Sequence, residues 1–213
     1  MRIILFIFIS MTILSGCAMN MTMPEPVEPA PQNFVIRSID IKPEVIITDK
    51  PFVQTPGMLW GGAIGGLIGA AIAGEGKEEQ FISLLKNNDI DLKKIFVNKF
   101  KDRLNSSNTP IKLTSQNADV KLEFIILYYG IHPSAPFSSD MEPMLEVGAK
   151  IIDKRGKHIR NISESFKFPD DDQVTPYPME QYTASPNLLK EGFEKLSALI
   201  ADELIKQLSS PPV

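Results

Sequence analysis

Cysteine, histidine and positive charge are all scarce in this chain of 213 residues. A single cysteine excludes a disulfide framework, and with two histidines the usual ligands of a tetrahedral metal site are nearly absent. The 22 basic residues are outnumbered by 26 acidic ones, so the chain has no excess positive charge for binding nucleic acid. At 43% hydrophobic and 23% charged residues, the composition is that of one ordinary globular domain.

A long apolar run lies at the N-terminus. Arg2 is the one charge before residues 3–14, which are almost entirely apolar. A helix of that length covers about 18 Å, too short for a hydrocarbon core of about 30 Å. Its length and flanks therefore predict a cleavable export signal rather than a permanent span.

The residues that follow are Leu14, Ser15, Gly16 and Cys17. This tetrapeptide resembles the lipobox of bacterial lipoprotein signals, because the apolar core, the small residues and the cysteine arrive in register. The resemblance implies that residues 1–16 are removed, that diacylglycerol is attached to the Cys17 thiol, and that the new amino group is acylated, as with palmitate. An ordinary secretory signal with an incidental cysteine and an uncleaved anchor are the alternatives.

The mature N-terminus predicts a lipid anchor on a tether. Several acyl chains anchor stably, since each buried methylene contributes about 0.8 kcal/mol. Ala18 is not the aspartate that resembles an inner-membrane retention signal, so we expect an outer-membrane anchor that faces the periplasm. Residues 17–33 are rich in proline and poor in large apolar side chains, which predicts an extended tether that reaches up to about 50 Å.

The mature chain is mildly acidic. Loss of Arg2 with the signal leaves 21 basic and 26 acidic residues, a net charge of −5. That balance predicts no general attraction to anionic lipid headgroups.

Apolar residues recur at every second position in several segments. Residues 34–41 predict one strand and residues 44–48 a second. Residues 145–151 alternate again, and residues 153–157 predict a hairpin turn into a further strand. Residues 119–129 predict a central strand with both faces apolar: one face is Val120, Leu122, Phe124, Ile126 and Tyr128, and the other is Ile125, Leu127 and Tyr129.

Two amphipathic helices are predicted as well, after a shorter helical piece at residues 78–85. The first has Asn88 and Asp89 as its cap, and the second begins with Ser185 as N-cap and Pro186 as its first residue. Their apolar stripes are Leu92, Ile95, Phe96, Phe100 and Leu104 in the first, and Leu189, Phe193, Leu196, Ile200, Leu204 and Leu208 in the second. We therefore expect one α+β domain over residues 34–209, a mostly antiparallel sheet with two helices packed on one face.

The predicted hairpin carries a second resemblance. ADVKLEFIILYYGI at 118–131, followed by MLEVGAKIIDKRGKHI at 144–159, is similar to the central hairpin of small periplasmic lipoproteins. These include transport-auxiliary lipoproteins and domains like the amino-terminal domain of TolB. The resemblance implies a sheet with two helices on one side, although the tryptophan that often follows the turn is missing at residues 158–160.

An apolar, glycine-rich segment covers residues 57–74 and holds seven of the 13 glycines. In a helix, one face would carry Gly61, Gly62, Gly65, Gly66 and Gly69, opposite Trp60, which is the small-residue spacing of closely packed helices. Interior glycines destabilise an isolated helix, so we expect a packing partner. Three interpretations remain open: an excursion that packs on its own domain, a membrane-inserting or self-associating helix, and a docking site for another envelope protein's helix.

Residues suited to catalysis are few. His132 is followed by Asp140 and Glu142, which would suit a cation or acid–base cluster, but no second histidine stands at ligand spacing. We therefore expect His132 to be an exposed loop residue and His158 to face solvent. The sequence predicts no catalytic residue, no metal site and no cofactor beyond the lipid on Cys17.

Residues 130–143 are expected to form a long connecting loop. In one interpretation Phe137 and Met141 present an apolar contact to a partner, and in the other the loop is mobile and binds nothing. The sequence thus predicts a non-enzymatic, membrane-anchored periplasmic lipoprotein that binds or scaffolds another envelope component. The alternative is a homo-oligomeric membrane-inserting or secretion-pore subunit that uses the glycine segment.

Overall fold

The computed structural model describes residues 36–42, 45–47, 52–53, 77–135, 138–166 and 174–210. The predicted signal peptide, the tether and the glycine segment therefore lie outside the described residues. In chain order, the elements are β1 (Ser38–Ile41), β2 (Ile46–Ile47), β3 (Phe52–Val53), α1 (Lys77–Asn87), α2 (Leu92–Ser106), β4 (Lys112–Leu113), β5 (Val120–Pro133), β6 (Asp140–Asp153), β7 (His158–Phe166), β8 (Tyr177–Pro178), α3 (Met179–Ala184) and α4 (Pro186–Ser209).

The predicted α+β class is confirmed. The strands of the described residues form one sheet in the order β4-β1-β5-β6-β7. The two long hairpins are antiparallel, β5 with β6 and β6 with β7, and β8 adds a short antiparallel pairing to β6. β1, β2 and β3 instead run parallel to β5, one after another along its length, and β4 is parallel to β1. The sheet is therefore mixed.

The predicted turn between β6 and β7 is present. The Asp153 carboxylate accepts hydrogen bonds from the backbone N–H groups of Arg155 and Lys157, at 2.8 and 2.9 Å. These bonds, the one from Lys157 above all, lower the pKa of the exposed Asp153 carboxyl. Gly156 has φ +83°, a left-handed backbone conformation that is strained for residues with a Cβ, so glycine suits this position.

The residues of β5 that face the core change from even-numbered to odd-numbered positions at Leu127. Val120, Leu122, Phe124 and Ile126 are fully buried in the main core, as predicted. The register to β6 then shifts between Ile126 and Tyr128, so the next core residues are Tyr129 and Ile131. A β-bulge moves the alternation by one residue. The prediction that Tyr128 shares the core face and Tyr129 the opposite one was therefore wrong.

Helix α2 begins with a different cap from the predicted one. Its N-cap is Asp91, whose side chain accepts the backbone N–H of Lys94, whereas Asp89 lies in the preceding turn at φ 53°. Four of the five predicted stripe residues are buried, and Ile95 is partly buried. The rings of Phe96 and Phe100 lie 5.0 and 4.8 Å from that of Phe124, which packs α2 on the sheet.

Helix α4 covers β6 and β7 beside α2. Ser185 and Pro186 stand at the predicted positions, although the Ser185 side chain makes no capping hydrogen bond. The six residues of its predicted stripe are all buried. An added Cβ on Gly192 would lie 2.6 Å from Cγ of Pro143, so this glycine allows the helix to approach β6 closely. At the other end of α4, the half-buried Arg160 of β7 donates to the carbonyl groups of Gln207 and Ser210.

Candidate functional site

The segment expected to be a long loop is the far end of the β5–β6 hairpin. β5 continues to Pro133 and β6 begins at Asp140, so the expected loop over 130–143 was wrong. Pro143 lies within β6, where this strand pairs with β5 along one edge. Along the other edge, the described pairing with β8 ends at Met141 and that with β7 begins at Leu145. A proline, which has no N–H, is tolerated where no ladder bond is required.

Met141 lies in the core rather than on the surface. It is 1% exposed, and its carbonyl oxygen accepts a hydrogen bond of 3.0 Å from the hydroxyl of Tyr182 in α3. Met141 therefore cannot present the exposed contact that the sequence suggested. Phe137, the other residue of that prediction, lies outside the described residues.

His132 and Glu142 form a buried cross-strand pair. They are direct register partners on β5 and β6, and each is 9% exposed. His132 Nε2 lies 3.5 Å from Glu142 Oε1, and His132 Nδ1 lies 2.9 Å from the carbonyl oxygen of Pro133. The expectation that His132 is an exposed loop residue was therefore wrong.

The burial of this pair disfavours the charged forms of both side chains. The Pro133 carbonyl only accepts, so Nδ1 carries hydrogen, and Nε2 of the neutral ring faces Glu142 with a lone pair. Burial raises the pKa of Glu142 to about 7. Burial also lowers the pKa of His132, although the Pro133 hydrogen bond opposes this effect. Either the carboxylic acid with neutral imidazole or the ion pair leaves the site with no net charge.

Elements α3 and β8 pack beside the pair. Burial and then the charge of Glu142 raise the pKa of Tyr182. Its ring meets that of Tyr177 in β8 edge-on, with 5.8 Å between centroids. Asp140, which precedes the pair on β6, pairs in register with Pro178. The charge state of Glu142 therefore affects Tyr182 in α3, which packs with β8 at this end of the hairpin.

The second histidine is elsewhere. His158 Nε2 lies 2.7 Å from Oδ1 of Asn161 on β7, and the residue is partly buried. Within the part of the chain that the structure describes, no three His, Cys, Asp or Glu residues group closely enough to hold a metal ion.

A shallow groove of about 710 Å³ lies between α2, α4 and residues 174–177. Leu188 and Val174 contribute apolar surface to its lining, and Lys99 and Arg103 contribute charge. Ion pairs join the two helices here, with 2.9 Å between Lys99 Nζ and a Glu194 oxygen and 2.8 Å between Arg103 and Asp202. Sequence reasoning missed this groove because its walls come from segments about 80 residues apart, and only the two apolar stripes hinted that the helices meet.

The other predicted site residues lie outside the described residues. They are Cys17, Trp60, Gly61, Gly62, Gly65, Gly66 and Gly69. Among the helices of the described ranges, none has both the length and the apolar character needed to cross a bilayer.

Comparison with known proteins gives only distant likenesses. No family model and no curated protein matches the chain. Similar solved structures include protein XCC0632 of the DUF330 family from Xanthomonas campestris, with 16% identity over 87% of this chain and 89% of that one, at TM-score 0.41. A PelC dodecamer from Paraburkholderia phytofirmans has 10% identity over 86% and 94%, at 0.31. A minor lipoprotein from Acinetobacter baumannii has 13% over 54% and 85%, at 0.30. At these scores the likenesses carry no argument about function.

Proposed function

We propose that this chain is a non-enzymatic lipoprotein of the bacterial envelope, anchored in the outer membrane through Cys17, which presents its α+β domain to another envelope component. The observation that carries the proposal is the order of the chain. Leu14–Cys17 stands in register after the apolar run, a proline-rich stretch follows, and the sheet begins at Ser38. This order supports a lipid anchor joined to a folded unit by a stretch whose composition is too polar and proline-rich to form a core.

The mechanism of such a protein is localisation. A diacylglycerol and an amide-linked acyl chain bury enough methylene groups for stable anchoring. Confinement at the membrane raises the effective concentration of the domain for partners there without any new contact. We assign the groove between α2 and α4 to the partner, because it combines apolar walls with charged side chains that can position a polypeptide.

A site-specific crosslinking experiment tests this function. A photoreactive residue replaces Leu188 in the groove, or Gln80 on the exposed side of α1 as the matched control, in the anchored protein and in a Cys17→Ser variant. We expect a discrete envelope product from position 188 that needs Cys17, and none from position 80. The same product without the anchor would contradict localisation, and no product from position 188 would contradict the assignment of the groove.

The alternative function remains a homo-oligomeric, membrane-inserting subunit, which rests on the spacing of Gly61, Gly65 and Gly69. Replacing these three glycines with leucine abolishes oligomer crosslinks if their faces pack together. Under the primary proposal the same change leaves lipidation and partner capture intact.

A further inference from the structure

One end of the sheet gathers the starts of three strands. Ser38 pairs with Lys112, and Ile39 pairs with Val120, so β1, β4 and β5 begin at the same level. Val120 also pairs with Asp153, which places the turn between β6 and β7 at this end. Residues far apart in the sequence thus form one terminal surface of the domain.

That surface is basic. Its six exposed basic side chains, which we name the basic end, are Arg37, Lys112, Lys121, Lys154, Arg155 and Lys157. Among the described residues of the strands and turns at this end, three acidic ones accompany them. Asp119 accepts the backbone N–H groups of residues 37 and 38, Asp153 holds the turn, and Asp40 pairs in register with position 121.

Charge is therefore segregated within an acidic chain. The basic end has an excess of three positive charges, while the remaining 15 basic and 23 acidic residues of the mature chain sum to −8. The net charge of −5 does not reveal this separation, because it is a sum over the whole mature chain. Electrostatic attraction to a membrane depends on the charges within about 10 Å of it, since salt screens more distant ones.

The chain enters the domain at this same end. The described residues begin at Ile36, and the hydrogen bonds of Asp119 to Arg37 and Ser38 fix the entry point against β5. Residues 17–35 join this point to the lipid attachment site. Because the tether joins the domain here, this end stays within the tether's reach of about 50 Å from the bilayer.

We propose that the basic end docks on an anionic phospholipid surface, next to the membrane in which Cys17 is anchored; this inference rests on the proposed function. Each ammonium or guanidinium group close to such a surface raises the docked population about fivefold. Docking orients the domain. β5 runs from Val120 at the basic end to Pro133, so the hairpin end with His132 and Glu142 points away from the bilayer by about 40 Å.

Lysine labelling of the acylated protein in vesicles tests the proposal. Vesicles contain either phosphatidylcholine alone or phosphatidylcholine with about one third phosphatidylglycerol, and a membrane-impermeant amine reagent is followed by mass spectrometry. We expect labelling of Lys154 and Lys157 to slow at least about fivefold on the anionic vesicles, and 0.5 M salt to reverse the effect. Lys93 and Lys94, exposed at the start of α2, serve as internal controls and keep their rates.

Charge variants test whether the protection of Lys121 depends on the basic side chains of the turn or only on the nearness of the membrane. The triple variant Lys154→Gln, Arg155→Gln and Lys157→Gln keeps the turn, whose bonds use backbone N–H groups, and should restore fast labelling of Lys121. The matched variant Lys86→Gln, Lys93→Gln and Lys94→Gln removes the same charge elsewhere and should leave Lys121 protected.

The outcomes distinguish this inference from the proposed function. Equal protection on neutral vesicles, or none on either kind while the protein stays bound, refutes docking through charge but leaves the anchor in place. Protection that appears only after an envelope protein is added also refutes it. If the protein leaves the vesicles before labelling, the anchor itself is wrong and the inference falls with it.

Discussion

The buried pair of His132 and Glu142 predicts opposite pH dependences for its two single variants. Burial raises the Glu142 pKa from 4.5 to about 7, so the folded chain keeps a proton that the unfolded chain releases. The contribution of Glu142 to the free energy of unfolding therefore falls as pH rises from 4.5 to 7, by at most about 3 kcal/mol. The lowered pKa of His132 has the opposite sign, because its contribution is present above pH 6.5 and is lost as pH falls through the folded pKa.

In the wild-type protein the two effects on the free energy of unfolding oppose each other between the lowered pKa of His132 and pH 6.5. His132→Gln leaves the glutamate unopposed, so its stability relative to wild type should fall as pH rises from the lowered pKa of His132 to pH 6.5. Glu142→Gln leaves the histidine unopposed, and its relative stability should rise over the same range.

Urea unfolding followed by circular dichroism at several pH values measures both slopes. Gln181→Ala, an exposed substitution in α3 that changes no titratable group, is the control and should run parallel to wild type. If both single variants of the pair also run parallel to wild type, burial does not shift the pKa values of His132 and Glu142 in the stated directions.

The remaining predictions concern packing and capping. Gly192→Ala should cost about 1–3 kcal/mol in unfolding free energy and less in a Pro143→Ala background; equal costs would exclude the steric clash. Ser197→Ala should stabilise by about 1 kcal/mol, since this buried hydroxyl has no hydrogen-bond partner within the described ranges; a loss would mean that one exists. Asp91→Ala should cost about 1 kcal/mol, which Asp91→Ser recovers; no cost would contradict the cap.

Elements with a strong period were predictable from the sequence. The stripes of α2 and α4 and the turn at residues 153–157 lie where the apolar spacing and the turn residues placed them. Local signals were enough because each of these elements buries one face and ends at a residue with its own conformational preference. The parallel pairing of β1 with β4 and β5 was not predictable, because pairing direction is set by contacts about 80 residues apart.

The pairing of His132 with Glu142 was not predictable, because the residues around them are typical of a loop. Pro133, Pro143 and the serines between them have the composition of a loop, so a strand was not expected and His132 was assigned to solvent. The bulge at Leu127 has no signal in an apolar run, and it decided which tyrosine faces the core. The basic end was likewise invisible, because a sum over the chain does not say which charges are neighbours.

The measurement that bears most directly on the whole account is the intact mass of the N-terminal peptide from the mature protein, isolated from envelopes. We predict that the first residue is Cys17 and that it carries a diacylglycerol on sulfur and a fatty acyl group on nitrogen. A mature chain that starts at another residue, or a Cys17 without acyl mass, would contradict it.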